Sequence, residues 1–125
     1  MDKVVHFEIP ADDTARAKEF YGSIFEWQLQ EVPEMQYVTL ITSPVDEQQL
    51  PMDRGAINGG MYVRSDQAPA TPVITIGVDS IDEALKKVEA GGGETIAPRT
   101  EIEGMGAFAY FRDTEGNTLG LWENL

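Results

Sequence analysis

The feature that most constrains this fold is one pattern, a strand, a helix cap and a helix, that occurs twice at an offset of 67 residues. At this offset His6 falls on Val73 and Ala17 on Ala84, and an aspartate before each helix also matches. Self-similarity at a fixed spacing indicates two copies of one structural unit. One copy alone is too small to bury a sheet well, so we expect the two copies to pair.

Hydrophobic periodicity predicts the elements of the first copy. Residues 3–9 alternate as a strand that Pro10 ends, and Asp12 or Asp13 then caps a helix. The helix carries an apolar stripe for contact with a sheet, formed by Ala17, Phe20, Tyr21, Ile24 and Phe25. Three further strands are predicted, at 27–32, 36–42 and 56–63.

The second copy repeats this order after a polar linker with two prolines. Residues 73–78 alternate as a strand, Ser80 and Glu83 form a capping box, and three glycines from Gly91 end the helix. The remaining strands are predicted at 94–97, 107–112 and 118–123. We therefore predict one α+β domain over residues 1–125, with two tandem βαβββ modules at about 1–64 and 73–125 and a linker at 65–72. The strands should form a curved mixed sheet, a cup, with the helices on its outer face.

Charge and composition exclude several classes of function. The 22 acidic and nine basic residues give a net charge of -13, which repels nucleic acid and anionic membranes and favours cationic or neutral ligands. Because there is no cysteine, disulfides, thiolate metal sites and cysteine nucleophiles are excluded. No apolar run approaches the roughly 20 residues of a membrane span, and the first residues do not resemble a signal peptide. We therefore expect a cytoplasmic protein.

Three segments carry a family resemblance that covers the whole chain. They are HFEIP at 6–10, EFYGSIFEW at 19–27 and GAFAYFRDTEGNTLGLWE at 106–123. The chain resembles the vicinal oxygen chelate superfamily, which includes glyoxalase I, bleomycin-resistance proteins and extradiol dioxygenases. The resemblance implies the cup of paired βαβββ modules and a homodimer. It also implies a divalent metal, held in the enzymes by a His or Glu from the first and last strand of each module, which acts as a Lewis acid.

The metal ligands of this superfamily are mostly missing from the chain. The first-strand position of module one is His6, but its counterpart in module two is Val73, which cannot bind a metal. The last-strand positions fall at Gly59 or Gly60 and at Gly120, so one ligand of four remains. Glu8 shares a strand face with His6, but catalytic metal sites normally use about three protein ligands. We therefore predict no metal ligands and no cofactor, and a bound divalent metal is the disfavoured alternative.

Strand alternation predicts which side chains line the cup. The expected ligand-binding residues are His6, Glu8, Tyr62, Thr75, Tyr110, Gly120 and Trp122. The side of the sheet that Phe108 and Tyr110 share is not settled by alternation. An aromatic wall with one carboxylate suits a flat or cationic organic ligand.

Three interpretations remain open at this point. The first is a binding protein with a degenerate metal site, like the bleomycin-resistance branch, whose partner is a small organic molecule. The second is an enzyme of the superfamily, a lyase or isomerase or a dioxygenase, with an unusual metal site or with His6 and Glu8 as catalytic acid–base residues. The third is a structural or regulatory module whose cup is filled by its own side chains or by a partner chain.

Overall fold

The computed structural model describes residues 1–125 and divides into two compact units. The N-terminal unit is His6–Pro72, and the C-terminal unit is Met1–Val5 together with Val73–Leu125. Two helices and eight strands are present, in both parallel and antiparallel pairs, which confirms the α+β class with a mixed sheet. No helix in the chain combines the length and the apolar character that crossing a membrane requires.

Within the N-terminal unit, the chain order is βαβββ. The elements are β1 (Lys3–Ala11), α1 (Thr14–Phe25), β2 (Gln28–Val32), a 3-10 turn (Pro33–Met35), β3 (Tyr37–Ile41) and β4 (Gly59–Val63). The strands lie in the order β2-β3-β4-β1, and only the β4–β1 pair is parallel. The buried core lies on the helix side of this sheet and contains Ala11, Val38, Leu40 and Met61.

The C-terminal unit repeats this arrangement. Its elements are β5 (Val73–Gly77), α2 (Ile81–Ala90), β6 (Glu94–Ile102), β7 (Gly106–Arg112) and β8 (Thr118–Asn124). The strands lie in the order β5-β8-β7-β6, with β5 and β8 parallel. The core again lies on the helix side, where Ile81 and Leu85 of α2 pack against the sheet. Since α1 begins at Thr14 and α2 at Ile81, the helices start 67 residues apart, as the repeat predicts.

Both helix caps are side chains that the sequence singles out. Asp13, rather than Asp12, caps α1 by accepting a hydrogen bond of 3.0 Å from the backbone amide of Arg16. Ser80 caps α2 by accepting from the amide of Glu83 at 3.2 Å. The Glu123 carboxylate also accepts from the amide of Ile81 at 2.7 Å, which satisfies another free donor at the start of α2.

The strand predicted at 94–97 is longer than expected, because β6 continues to Ile102. Two further local expectations were wrong. Strand β1 does not end at Pro10 but continues to Ala11, whose carbonyl accepts from the amide of Arg64 at 2.8 Å. Proline removes one donor, yet its φ is compatible with extended backbone, so the strand continues. The apolar stripe of α1 is only partly covered by the sheet. Ala17 and Tyr21 pack against the core of the N-terminal unit, whereas the other stripe residues are each more than half exposed, namely Phe20, Ile24 and Phe25.

Candidate functional site

Strand β1 presents two polar side chains on the face of the N-terminal sheet that lies opposite α1. Phe7 and Ile9 pack into the core, so the alternation of the strand turns His6 and Glu8 to the other face. Glu8 lies beside Gly60 of β4 in the parallel pair and is only 9% exposed. The sheet therefore holds an imidazole and a buried carboxylate on its helix-free face, as strand parity predicts.

Tyr37 of β3 connects these two side chains. Its hydroxyl donates to Oε2 of Glu8 at 2.8 Å and lies 2.9 Å from Nε2 of His6. Because a carboxylate only accepts, the single hydroxyl proton of Tyr37 is used toward Glu8. Nε2 of His6 must then donate to the Tyr37 oxygen. The three side chains form a directed chain of hydrogen bonds, from His6 through Tyr37 to Glu8.

Gly60 lets the Tyr37 ring reach this position. A Cβ atom placed on Gly60 would lie 1.7 Å from the Tyr37 hydroxyl oxygen and 2.0 Å from the ring carbon that bears it. The neighbouring Gly59 is equally restricted, since a Cβ there would lie 2.5 Å from the carbonyl oxygen of Phe7. Neither glycine can therefore be replaced by a larger residue without moving its neighbours, and the space above Gly60 is filled by Tyr37.

In the C-terminal unit, the side-chain space at Gly120 is also occupied by a neighbouring residue. Thr75 of β5 lies beside Gly120 of β8 and is 5% exposed. A Cβ atom on Gly120 would lie 2.7 Å from the Thr75 hydroxyl oxygen. A threonine hydroxyl thus occupies the place that a side chain at position 120 would need.

Aromatic side chains cover the helix-free face of the C-terminal sheet. Phe108 pairs with Trp122, and Tyr110 pairs with Gly120. The alternate residues Ala107, Ala109 and Phe111 pack with α2, so Phe108, Tyr110 and Trp122 lie on the other face. The rings of Phe108 and Tyr110 meet edge to face with centroids 5.8 Å apart. This arrangement settles the side that alternation left open.

The Trp122 ring covers Gly106 so closely that it excludes a side chain at position 106. A Cβ atom on Gly106 would lie 2.6 Å from a carbon of the Trp122 ring. The indole N–H donates to Oδ1 of Asn124 at 2.8 Å, which holds the ring in place. The sheet thus presents a positioned indole beside the Phe108–Tyr110 pair.

Burial changes the protonation behaviour of two groups on the N-terminal face. Loss of solvent lowers the pKa of His6 below its ordinary value, and the negative charge of Glu8 opposes this effect. The pKa of Tyr62 is raised to about 12, first by burial and then by the Glu8 charge, while Arg64 acts in the opposite direction. The Tyr62 hydroxyl donates to the carbonyl oxygen of Pro69 at 2.5 Å, so this group ties the linker to β4. Both shifts favour a neutral imidazole and a neutral phenol near pH 7.

Comparison with known proteins now assigns the family. The model of the Glyoxalase/Bleomycin resistance protein/Dioxygenase superfamily matches residues 3–121.

The chain belongs to this superfamily.

Curated relatives of this superfamily are distant, and several are longer. The anthracycline biosynthesis protein DnrV of Streptomyces peucetius is 26% identical over 130 residues, covering 93% of this chain and 45% of that protein. A glyoxylase-like domain-containing protein of Didymella fabae is 29% identical over 121 residues, with 89% and 85% covered. The chain spans less than half the length of the first curated relatives that it matches, 43% for CFP32 of Mycobacterium tuberculosis.

Solved structures share the fold of this chain at low identity. The hypothetical protein BH1468 of Bacillus halodurans aligns with a TM-score of 0.66 at 16% identity, covering 99% of this chain and 95% of that chain. Methylmalonyl-CoA epimerase of Streptomyces coelicolor aligns with a TM-score of 0.64 at 14% identity, covering 98% and 94%. At these identities the likeness shows the fold alone.

The residues present do not fit the divalent metal that the superfamily implies. Among the positions expected to supply ligands, Val73 is apolar, and the side-chain space at Gly60 and Gly120 is taken by Tyr37 and Thr75. His6 already uses Nε2 for its bond to Tyr37. No group of three or more histidine, aspartate or glutamate side chains is placed to hold a metal ion. The misfit follows from the occupied space and from the small number of donor groups.

Metal titration tests this conclusion directly. We expect calorimetric titration of the untagged protein with nickel, zinc and manganese to give no stoichiometric binding at micromolar concentration, because one imidazole and one carboxylate are fewer than the usual three ligands. His6→Ala provides the control for weak surface binding and should leave the heat signal unchanged. Tight one-to-one binding that His6→Ala abolishes would contradict the conclusion.

Sequence reasoning missed Tyr37, which is central to this group. The predicted strand at 36–42 includes it, but alternation identifies only Val38 and Leu40 as core residues and leaves Tyr37 with the polar face. A signal was present, since two adjacent glycines in the predicted strand at 56–63 indicate that another group approaches the backbone closely. Which group approaches depends on the pairing of β3 with β4.

Proposed function

We propose that this chain is a metal-independent member of the superfamily that binds a small organic ligand, with the aromatic face of its C-terminal unit as the main contact surface. The observation that carries the proposal is the Tyr37 ring above Gly60, which takes the space of a superfamily metal ligand and ties up His6. With that space occupied, binding does not depend on Lewis-acid chemistry. The ligand must be recognised by ring faces and hydrogen-bonding groups.

Charge and ring geometry support an aromatic cation as the ligand class. Trp122, Phe108 and Tyr110 are neighbours on two paired strands, and ring faces attract cations placed within about 6 Å of their centre. The net charge of -13 raises the local concentration of cations around the protein. The relative from S. peucetius is named for the biosynthesis of anthracyclines.

A calorimetric titration with N-methylquinolinium, a flat aromatic cation, tests the proposal. We expect saturable one-to-one binding, weakened about tenfold in Trp122→Ala, because a ring–cation contact contributes on the order of 1–2 kcal/mol. Phe20→Ala is the matched control: it also removes an aromatic ring, but from α1, where Phe20 is 53% exposed, and it should bind like the wild type. Naphthalene-2-sulfonate, a flat anion, should bind more weakly than the cation. Equal affinity of wild type and Trp122→Ala would overturn the proposal.

A second candidate function is favoured by the hydrogen-bonded chain on the N-terminal unit. His6, held by Tyr37 and electrostatically linked to Glu8, has the character of a general base that is neutral near pH 7. A lyase or isomerase acting on a carbonyl compound would use such a base to move a proton. The two candidates differ in outcome, because the first gives binding without turnover.

A further inference from the structure

The direction of the hydrogen bonds on the N-terminal unit determines which nitrogen of His6 faces a ligand. Tyr37 uses its proton toward Glu8, so it accepts the Nε2 proton of His6. A neutral imidazole carries one ring proton, and its other nitrogen is then a hydrogen-bond acceptor. Nδ1 of His6 is therefore the acceptor atom when the ring is neutral.

Nδ1 also keeps some contact with solvent, in a side chain that is partly buried. The hydrogen bond of His6 to Tyr37 uses Nε2 only. No buried side-chain nitrogen or oxygen in the chain lacks a partner, so Nδ1, which has none within the protein, must reach the surface of this unit. An acceptor nitrogen in a fixed ring, accessible from outside, is a recognition point for a donor group.

We infer that Tyr37 is a positioning residue that locks His6 in the Nε2–H tautomer, and that Nδ1 of His6 receives a hydroxyl or N–H donor from a small molecule at the N-terminal unit. The inference rests on the proposed small-molecule binding and adds a donor-bearing ligand class for the N-terminal unit by itself. A ligand of this kind carries a neutral donor, such as a phenol, an alcohol or an amide N–H. A group that offers only lone pairs, such as an ether, finds no partner at this nitrogen.

Glu8 sets the direction of the hydrogen bonds by accepting the Tyr37 proton. The carboxylate is 9% exposed and accepts the Tyr37 proton, so reversing the chain would leave a buried oxygen without that donor. A buried acceptor that loses its donor is costly, and this cost opposes rotation of the Tyr37 hydroxyl toward His6. The tautomer of His6 is thus fixed by a carboxylate that need not touch the ring.

Nuclear magnetic resonance provides a clean test because His6 is the only histidine in the chain. Long-range proton–nitrogen spectra at pH 8 should show one tautomer in the wild type, with the proton on Nε2 and a directly visible Nε2–H resonance. Tyr37→Phe keeps the ring over Gly60 but removes the acceptor, so that resonance should be lost and the two nitrogen shifts should average. A proton on Nδ1 in the wild type would overturn the inference, as would a spectrum of Tyr37→Phe identical to that of the wild type.

Tyr62→Phe is the matched control. It removes a second hydroxyl from the same sheet face, but this hydroxyl donates to the carbonyl oxygen of Pro69 and not to the His6 pathway. The His6 tautomer should be unchanged in this variant. A lost Nε2–H resonance in Tyr62→Phe as well would mean that general loosening of the face, and not Tyr37, explains the effect.

A pair of probes tests the ligand class in the same spectra. Phenol, which has a donor, should shift the Nδ1 resonance saturably, whereas anisole, the same ring with an ether oxygen, should leave it unchanged. Equal effects of the two probes, or none from phenol, would overturn the assignment of Nδ1 as a donor-binding atom. This result does not depend on the N-methylquinolinium titration. A failed titration would contradict the proposed aromatic contact surface, whereas a failed probe pair would contradict the proposed role of His6.

Discussion

Replacing Gly60 with alanine should destabilise the N-terminal unit by about 3 kcal/mol, the upper end of the cost of overpacking a well-packed site. The added Cβ would lie 1.7 Å from the Tyr37 oxygen, so the ring must leave its place and break its bonds to His6 and Glu8. Leaving the buried Glu8 without this donor adds to the steric cost. Urea unfolding of the wild type and Gly60→Ala measures the loss.

A double-mutant cycle shows whether Tyr37 is the cause. In a Tyr37→Ala background the space above Gly60 is open, so Gly60→Ala should be neutral or stabilise the protein by about 0.5–1 kcal/mol, because alanine costs less backbone entropy than glycine in a strand. The coupling between the two positions should therefore be large. If Gly60→Ala costs the same in both backgrounds, the close approach of the Tyr37 ring is not what requires glycine there.

Trp27→Ala should cost about 3 kcal/mol, the lower end of the range for removing a core aromatic, because Trp27 is only partly buried. Helix α1 contains no fully buried residue, so its attachment to the sheet depends on a few ring contacts. Trp27 stacks on Tyr21 with centroids 5.3 Å apart and an angle of 5°, and it also meets Phe7 at 5.9 Å. Without the indole, Tyr21 loses the surface against which it packs. The free energy of unfolding from urea denaturation measures the effect.

Trp122→Ala is the comparison for this prediction, since the chain contains only two tryptophans. The Trp122 ring lies on Gly106 at the helix-free face and is not part of the core under α2. We expect a loss below about 2 kcal/mol, because stabilisation follows the apolar area removed from water. A Trp122→Ala loss as large as that of Trp27→Ala would place Trp122 in the structural core and weaken its assignment to a ligand surface.

Side chains of neighbouring strands cover two glycines of this chain. Tyr37 fills the space above Gly60 and joins His6 and Glu8 through its hydroxyl. In the C-terminal unit, Gly120 and Thr75 form a comparable pair. The space beside each glycine is therefore occupied by a side chain and is not open to a ligand. The recognition elements that we propose are the aromatic rings and the imidazole nitrogen.

Local pattern was sufficient for much of the architecture. The repeat predicted that α1 and α2 begin 67 residues apart, and the caps Asp13 and Ser80 were among the residues named for that role. Strand alternation also placed His6 and Glu8 on one face of the N-terminal sheet. These features depend on residues within a few positions of each other, so a single sequence contains the information.

The extent of each element and the partners of each side chain required the tertiary structure. Sequence reasoning ended β1 at Pro10 and assigned all of the α1 stripe to the sheet. Both the end of a strand and the burial of a helix face depend on contacts with other elements, which local pattern does not contain.

By itself the sequence determined the family, the two-fold repeat and the helix caps, because each is a property of residue identity and local spacing. Only the tertiary structure decided which side chains meet around Gly60. His6 and Tyr37 are 31 residues apart, and Tyr37 and Glu8 are 29 apart. Their hydrogen bonds exist because β3 and β1 both pair with β4, which sets their side chains on one face around Gly60. Strand pairing over such separations is a non-local choice that alternation along one strand cannot express.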